Sequence, residues 1–310
     1  MNDANEFADA SFMLLTMIAV CGKLFNIIVK RKIISTMIKA VQKNLLNTQD
    51  EIEIAIISEY DRKAQMYTVI YGILSESTCT MLTLASFMYD IPQRTLPFKA
   101  WLPLNLKTPA VYWIAYIHQT IGHYIGANVN IGFDSLVAGM MMEICAQLKI
   151  CKHRFNKIHQ TLKQTKNYKK NEISIDEQLR LEKQLVAECT KLAELSNKTF
   201  ALSIFLQYCV SSLILCVSTY GLSQMEPFSQ EFISLFMYLM CMLMQIFFYC
   251  RYATEVGLQS ETVCDAIYSM NWTSLNVKTK KSLIIIMIRV LNPIKYTVGH
   301  ITLSLTSFSS

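Results

Sequence analysis

The chain has 310 residues, 52% of them hydrophobic and 17% charged, with a mean hydropathy of +0.29 and a net charge of +6. Its apolar residues gather into runs of about twenty, which excludes a string of soluble domains and indicates an all-α, polytopic membrane protein. The basic excess flanks those runs, where it serves as a topology signal rather than a nucleic-acid surface.

In chain order, Met1 to Asn5 is polar with no basic start, so no cleavable signal peptide is expected. The first span is about Ala8 to Val29, ended by Lys30-Arg31-Lys32, and the second about Met66 to Tyr89. The third is about Ala110 to Phe133, continuing helical toward Lys149, and the fourth Phe200 to Leu222. The fifth, Phe232 to Cys250, is an unbroken apolar run, long enough for a hydrocarbon core of roughly 30 Å. A sixth begins near Ile301. Every proline sits outside these cores: Pro92, Pro97, Pro103, Pro109, Pro227 and Pro293. The loops at 30–65, 141–199 and 251–282 hold 23 Lys and Arg, against 3 in the segments on the other side. The positive-inside rule therefore puts the first set in the cytosol and the N-terminus outside.

Between the third and fourth spans, Ile173 to Lys198 reads as an amphipathic helix, with Ile175, Leu179, Val186, Cys189 and Ala193 returning near one face and Asn171 or Ser174 as caps. It is either a solvated stalk or, the preferred reading, part of a packed cytosolic bundle. Beyond Arg251 only Gly257 interrupts the helix before Trp272, and Val256, Val263, Ile267 and Met270 share a face. The expected organisation is a membrane bundle over 1–272, with cytosolic extensions at 134–199 and 251–272. Residues 273–310 would then form a short cytosolic helix and an incomplete final helix.

The last quarter carries a family resemblance. Ser260-Glu261, Tyr268 and Trp272, Lys280-Lys281-Ser282-Leu283, Met287-Ile288-Arg289, Pro293, Gly299 and Leu303-Ser304-Leu305-Thr306-Ser307-Phe308 follow in the order of the C-terminal signature of insect odorant receptors. The remaining spans resemble that family more weakly. The family has seven spans and a cytoplasmic N-terminus, so the resemblance implies a chain truncated at both ends, with Ala8 to Val29 matching the family's second helix. At 1.5 Å per residue, Ile301 to Ser310 would cover about half a bilayer core. The resemblance further implies a ligand-gated non-selective cation channel in the plasma membrane of olfactory sensory neurons, assembled with the shared odorant co-receptor as a hetero-tetramer. Helix extensions and a short helix like Ser282 to Leu291 would anchor the subunits. The pore would be lined by the last helix, here Leu303, Leu305 and Phe308. No cofactor and no nucleic acid is expected; the partners are the co-receptor, a small volatile odorant and membrane lipid.

An odorant offers mainly apolar area and one hydrogen-bonding group, so its pocket should be aromatic and methionine-rich. The candidates in the outer halves of the spans are Phe12, Thr16, Thr83, Phe87, Tyr112, Tyr116, Thr120, Phe236 and Met240. For each, ordinary helix packing is the competing reading. Lys23 and Glu76 lie roughly 10 and 15 Å from the inner ends of their spans, and a charge at such depth needs a partner. A Lys23–Glu76 pair is expected; the alternatives are a snorkelling Lys23 and a protonated Glu76 bonded to Ser75, Thr80 or a neighbouring helix.

Other functions are less well supported. Asn292-Pro293-Ile294-Lys295-Tyr296 satisfies the NPxxY pattern of G-protein-coupled receptors, but it follows only a short apolar run that contains Arg289. A gustatory receptor would carry a different final pattern, and a transporter would show internal repeats and broken helices. Nothing suggests an enzyme: there is no GxSxG, HExxH or Gly-rich phosphate loop. Cys145 and Cys151, near His153 and His159, are six residues apart and so about 120° apart around a helix, which disfavours a metal site. A non-functional truncated receptor is the remaining alternative.

Overall fold

The computed structural model describes residues 2–45, 50–98, 108–164, 168–227, 229–270, 275, 277–298 and 301–309. Each of the first five expected spans lies inside a much longer helix: α1 (Asn2–Leu45), α2 (Glu51–Gln93), α3 (Pro109–Gln164), α4 (Tyr168–Gln224) and α5 (Gln230–Tyr268). Their 39 to 57 residues extend roughly 60 to 85 Å, so only part of each can lie in a hydrocarbon core. Then follow α6 (Val277–Val290), the two-residue strands β1 (Thr297–Val298) and β2 (Ile301–Thr302), and α7 (Leu305–Ser309).

The helix ends follow local chemistry. Asp50 caps α2, accepting from the Ile52 amide through Oδ1 at 3.4 Å, with Glu51 and Glu53 in the first turn at the positive end of the helix dipole. Pro109 opens α3, where its missing N–H costs nothing, and Ser229 caps α5 by accepting from the Phe232 amide at 3.1 Å. Pro92 sits inside the last turn of α2 rather than beyond it. That helix stops at Arg94, which takes a left-handed φ of 54° while the Arg94 and Thr95 amides donate back to Ile91 and Asp90.

Three expected boundaries move. Helix α4 begins at Tyr168, so Asn171 and Ser174 lie within it rather than at its start. Helix α6 begins at Val277, five residues before Ser282. Ile301 belongs to a strand, not a helix: β1 and β2 pair antiparallel, with Thr297 opposite Thr302 and Val298 opposite Ile301. Helix formation resumes only at Leu305, where Ser304 accepts from the Ser307 amide at 3.1 Å.

The chain divides into two compact units. The first comprises 1–29, 66–136 and 202–247. Its outer surface is apolar, with Phe25, Ile28, Ile73, Phe87, Ile114 and Leu202 exposed, while Lys23, Asp134, Gln207, Ser211 and Gln245 are buried inside. A polar interior under an apolar surface is the arrangement hydrocarbon solvent favours. Among the described residues, Pro109–Gln160, Glu177–Gln224 and Phe232–Tyr268 are long and apolar enough to cross a membrane. Within α2, Ser75, Glu76, Ser77, Thr78 and Thr80 dilute the hydropathy.

The second unit comprises 30–65, 137–201 and 248–310. The second half of α3 is its centre, with Val137, Met141, Ile144, Cys145, Cys151 and Phe155 all but fully buried. Both amphipathic faces expected from sequence pack inward where their side chains are described; that of Ile175 lies outside the described residues. Leu179, Val186, Cys189 and Ala193 are buried on α4, as are Val256, Val263, Ile267 and Met270 on α5. Leu283, Ile286 and Val290 of α6 add a third buried stripe. The segment before the fourth span is thus part of a packed bundle, not a solvated stalk.

Candidate functional site

The first unit encloses a cavity of about 70 Å³. Helical spacing places its walls. On α2, Tyr71, Ser75, Thr78, Cys79 and Leu82 recur at intervals of three and four, and on α3 so do His123, Gly126, Ala127 and Asn130. Helix α1 contributes Thr16, Met17 and Val20, and α5 contributes Tyr238, Cys241 and Met242. Gly126 matters to the volume: a Cβ built there meets no atom within 4 Å, so the position is open space rather than a close approach.

Most polar groups in the wall are already engaged. The Thr16 and Tyr238 hydroxyls bond each other at 2.8 Å, and the Thr78 hydroxyl lies 3.3 Å from the Cys241 sulfur. His123 differs. Its ring packs against Phe98 and Tyr124, with centroids 5.1 and 6.3 Å away, yet its buried Nε2 has no hydrogen-bond partner among the described residues.

Tyr71 and Asn130 also join the cavity to a buried ionic network. Lys23 donates to Asp134 at 2.7 Å and to the Asn130 side-chain oxygen, with the two charged side chains 1% and 0% exposed. Tyr71 donates to the other Asp134 oxygen at 3.2 Å and accepts from Asn130 at 2.8 Å. Gln245 also donates to Asp134, and Gln207 donates to Gln245 at 2.8 Å and to Ser211 at 2.9 Å. Asp134 thereby gathers donors from three side chains. This is the condition under which a buried ion pair survives its desolvation cost.

The expected Lys23–Glu76 pair is therefore corrected. Lys23 bonds Asp134, because α3 runs on past Phe133 and keeps Asp134 within its helical register. Glu76 follows the cavity-lining Ser75 by one residue, about 100° around α2, and there accepts from the Asn128 amide at 2.9 Å.

Of the residues expected to bind ligand, Thr16 lines the cavity and the others whose side chains are described do not. Phe87 and Phe236 point outward, 63% and 47% exposed, and Met240 is exposed as well. Tyr112 and Tyr116 are buried in aromatic packing around Trp113, donating to the Thr95 carbonyl at 3.0 Å and to Ser86 at 3.4 Å. Thr83 bonds the Cys79 carbonyl at 2.8 Å. Thr120 borders an open groove along α3 with Ile121, Tyr124, Ile125, Asn128 and Val129. The Phe12 and Phe308 side chains lie outside the described residues. Of the expected pore residues, Leu303 is buried before α7, its amide donating to the Tyr296 carbonyl at 2.9 Å, while Leu305 opens α7 half-buried.

The second unit holds its own charged cluster. Arg154 grips Glu53 with two bonds of 2.6 and 2.8 Å and reaches Glu182 at 3.7 Å, while the Cys151 thiol donates to Glu182 at 3.4 Å. Burial pushes the Glu182 carboxyl up to about 7; Arg154 offsets part of that, and the nearby Glu53 charge adds to it. Glu59, bonded to Lys149 and Lys63 at 2.7 Å each, is instead held down at about 2 by those two ammonium groups.

Comparison with known proteins gives a consistent family. The model of the 7tm Odorant receptor family matches residues 3–310. Odorant receptor 46a, isoform A, of Drosophila melanogaster is 28% identical over 254 residues, 79% of this chain and 64% of that protein, so the chain spans a little under two thirds of its length. Odorant receptor Or1 of Anopheles gambiae is 22% identical over 331 aligned positions, covering 99% of this chain and 78% of the relative. The fold is shared with the olfactory receptor OR5 of Machilis hrabei, solved in complex with eugenol. The TM-score is 0.85 at 18% identity, over 98% of this chain and 77% of that one.

Proposed function

The chain belongs to the 7tm odorant receptor family, and from that membership we propose that it is the odorant-binding subunit of a ligand-gated, non-selective cation channel formed with the shared odorant co-receptor. The observation that carries this reading is the cavity bounded by α1, α2, α3 and α5, inside a unit whose outer surface is apolar. Its wall is mainly apolar with a few placed polar groups, which suits a small organic ligand. Eugenol bound to the Machilis hrabei OR5 is such a molecule. Binding would act by its higher affinity for the open conformation, since a ligand shifts an equilibrium only by its differential affinity.

In this reading the first unit lies in the plasma membrane of olfactory sensory neurons, the N-terminus of this chain is outside, and the Lys- and Arg-rich loops face the cytosol. Residues 1–272 supply the membrane bundle and its extensions, and 273–310 the short helix and the start of the pore helix. Leu305 and Phe308 are the pore candidates, and four subunits assemble through the second unit. The chain acts as a receptor with no catalytic step. The G-protein-coupled alternative draws no support from Asn292 to Tyr296, which follow α6 outside any helix.

The test is whole-cell current from cells expressing the chain with an insect odorant co-receptor, applied against a broad odorant panel. Odorant-evoked cation current is expected. Gly126→Leu, which places a side chain in the open space of the cavity, should abolish it while surface labelling stays normal. Surface-exposed protein that gives no current but raises G-protein signalling would overturn the channel reading.

A further inference from the structure

We propose that the ligand of this cavity carries a hydroxyl group bonded to His123 Nε2, so that His123 selects small alcohols and phenols over hydrocarbons and ethers of the same shape. The inference rests on the odorant-binding reading and deepens it to a ligand class.

The argument starts from what the wall leaves unused. Thr16 is paired with Tyr238 and Thr78 with Cys241, and Tyr71 and Asn130 are committed to the network around Asp134. A ligand bonding any of these must compete with a bond already made. His123 lines the same cavity, and its Nε2 is buried and has no partner among the described residues. A buried polar atom left unsatisfied is a standing penalty, relieved when a ligand supplies the missing partner. Which tautomer the ring adopts decides whether Nε2 donates or accepts. A hydroxyl meets both cases because it can do either. An ether or carbonyl oxygen meets only one, and a hydrocarbon neither.

The rest of the wall limits what carries the hydroxyl. Met17, Val20, Leu82, Ala127 and Met242 are apolar, and Gly126 opens the volume next to His123 on the same helix. At about 70 Å³ the cavity is smaller than the about 150 Å³ that holds one benzene ring, so even a single ring or short chain enters only as wall side chains move aside, and a large terpenoid is excluded. The tilted packing of the His123 ring against Phe98, 5.1 Å between centroids, restrains where Nε2 sits, so the bond selects by position as well as by chemistry.

The probes are two matched sets, phenol with anisole and toluene, and 1-hexanol with hexanal and hexane. Each is tested as a dose–response of current in cells carrying the chain and the co-receptor. In the unmutated receptor, the hydroxyl member of a set should be about tenfold more potent than its hydrocarbon, the ratio expected for one buried hydrogen bond. His123→Phe should erase that ratio, weakening the hydroxyl compounds about tenfold and leaving toluene and hexane within about twofold. His123→Gln, which keeps a polar end, should retain part of the preference.

A His123→Phe receptor that reaches the surface and loses all ligands equally, or none, overturns the proposal. So does an unmutated receptor that answers other odorants but no hydroxyl compound, an outcome that leaves the odorant-receptor reading standing. Silence of the surface-expressed unmutated receptor toward every odorant defeats that reading, and the proposal with it. If His123→Phe fails to reach the surface, the potency ratios of the unmutated receptor decide.

Discussion

Asp134 is the position where a conservative change should do most damage to the membrane unit. Replacing it by Asn leaves Lys23, 1% exposed, without its counter-ion and with only Asn130 and one amide oxygen as acceptors. Breaking one partner out of a buried pair costs about 3 to 5 kcal/mol, most of it the penalty of the stranded charge. Lys23→Met strands Asp134 instead. Tyr71 and Gln245 still donate to that carboxylate, so its cost falls at the lower end of the range. The double variant Lys23→Met/Asp134→Asn carries no charge and should recover at least about 2 kcal/mol relative to the sum of the singles. For a chain of 310 residues, about 4 kcal/mol corresponds to roughly 6 °C in midpoint. The assay is heat challenge of detergent-solubilised protein followed by the size-exclusion peak height. Glu76→Gln is the control. Glu76 is half-exposed and, among the described residues, bonds only the Asn128 side-chain amide at its carboxylate, so it should shift the midpoint by less than about 2 °C. A Glu76 variant as damaging as Asp134→Asn, or a cycle that couples Lys23 to Glu76, would refute the assignment.

Two further predictions concern other elements. Glu182, raised from 4.5 to about 7, holds a proton in the folded chain that the unfolded chain releases. Stability should therefore fall as pH rises from about 4.5 to about 7, by up to about 3 kcal/mol. Midpoints of detergent-solubilised Glu182→Gln measured across that range should show a flatter pH dependence, and an unchanged slope would show that Glu182 is not the source. Gly22 marks the close approach of α1 to α4, where an added Cβ would lie 2.8 Å from the Leu206 Cδ2 atom. Gly22→Ala asks only that the flexible tip of Leu206 turn aside and should cost under about 1 kcal/mol. Gly22→Leu should cost about 1 to 3 kcal/mol by overpacking and reduce surface labelling; equal behaviour of the two would show that the approach is not tight.

The sequence is most legible where one periodicity runs long. Residue spacing alone places the stripes Leu179, Val186, Cys189, Ala193 and Val256, Val263, Ile267, Met270 on helix faces, because each returns at helical intervals against a charged background. The cavity is not legible in the same way. Phe87, Phe236 and Met240 have the right residue type and depth, but in a membrane helix large apolar side chains are as stable against lipid as against protein, so they do not mark the inner face. The mark lies in the opposite signal. Within apolar helices, Ser75, Thr78 and Cys79 on α2 and His123, Gly126, Ala127 and Asn130 on α3 form stripes of small and polar residues at intervals of three and four. Hydrocarbon rejects polar groups, so such a stripe must face the interior, and the space left by small side chains is what the cavity consists of.

The same reasoning explains why the sequence shows that Lys23 needs a partner and yet points to the wrong one. Depth counted from span ends treats Asp134 as the first residue outside the third span, since the apolar run stops at Phe133. Helices here ignore that limit: α3 continues to Gln164, and the end of hydropathy is not the end of the element. A charge one residue beyond an apolar run is still on the helix and, in Asp134, on the face shared with Asn130, four residues earlier. The pairing rule for ionisable residues in membranes should therefore search the flanking turn of each span as well as its core. Applied to the cores of the second and third spans and their inner flanking turns, it offers Lys23 two carboxylates, Glu76 and Asp134. The interior stripe of α3, continued from His123 and Asn130 to Asp134, then chooses between them.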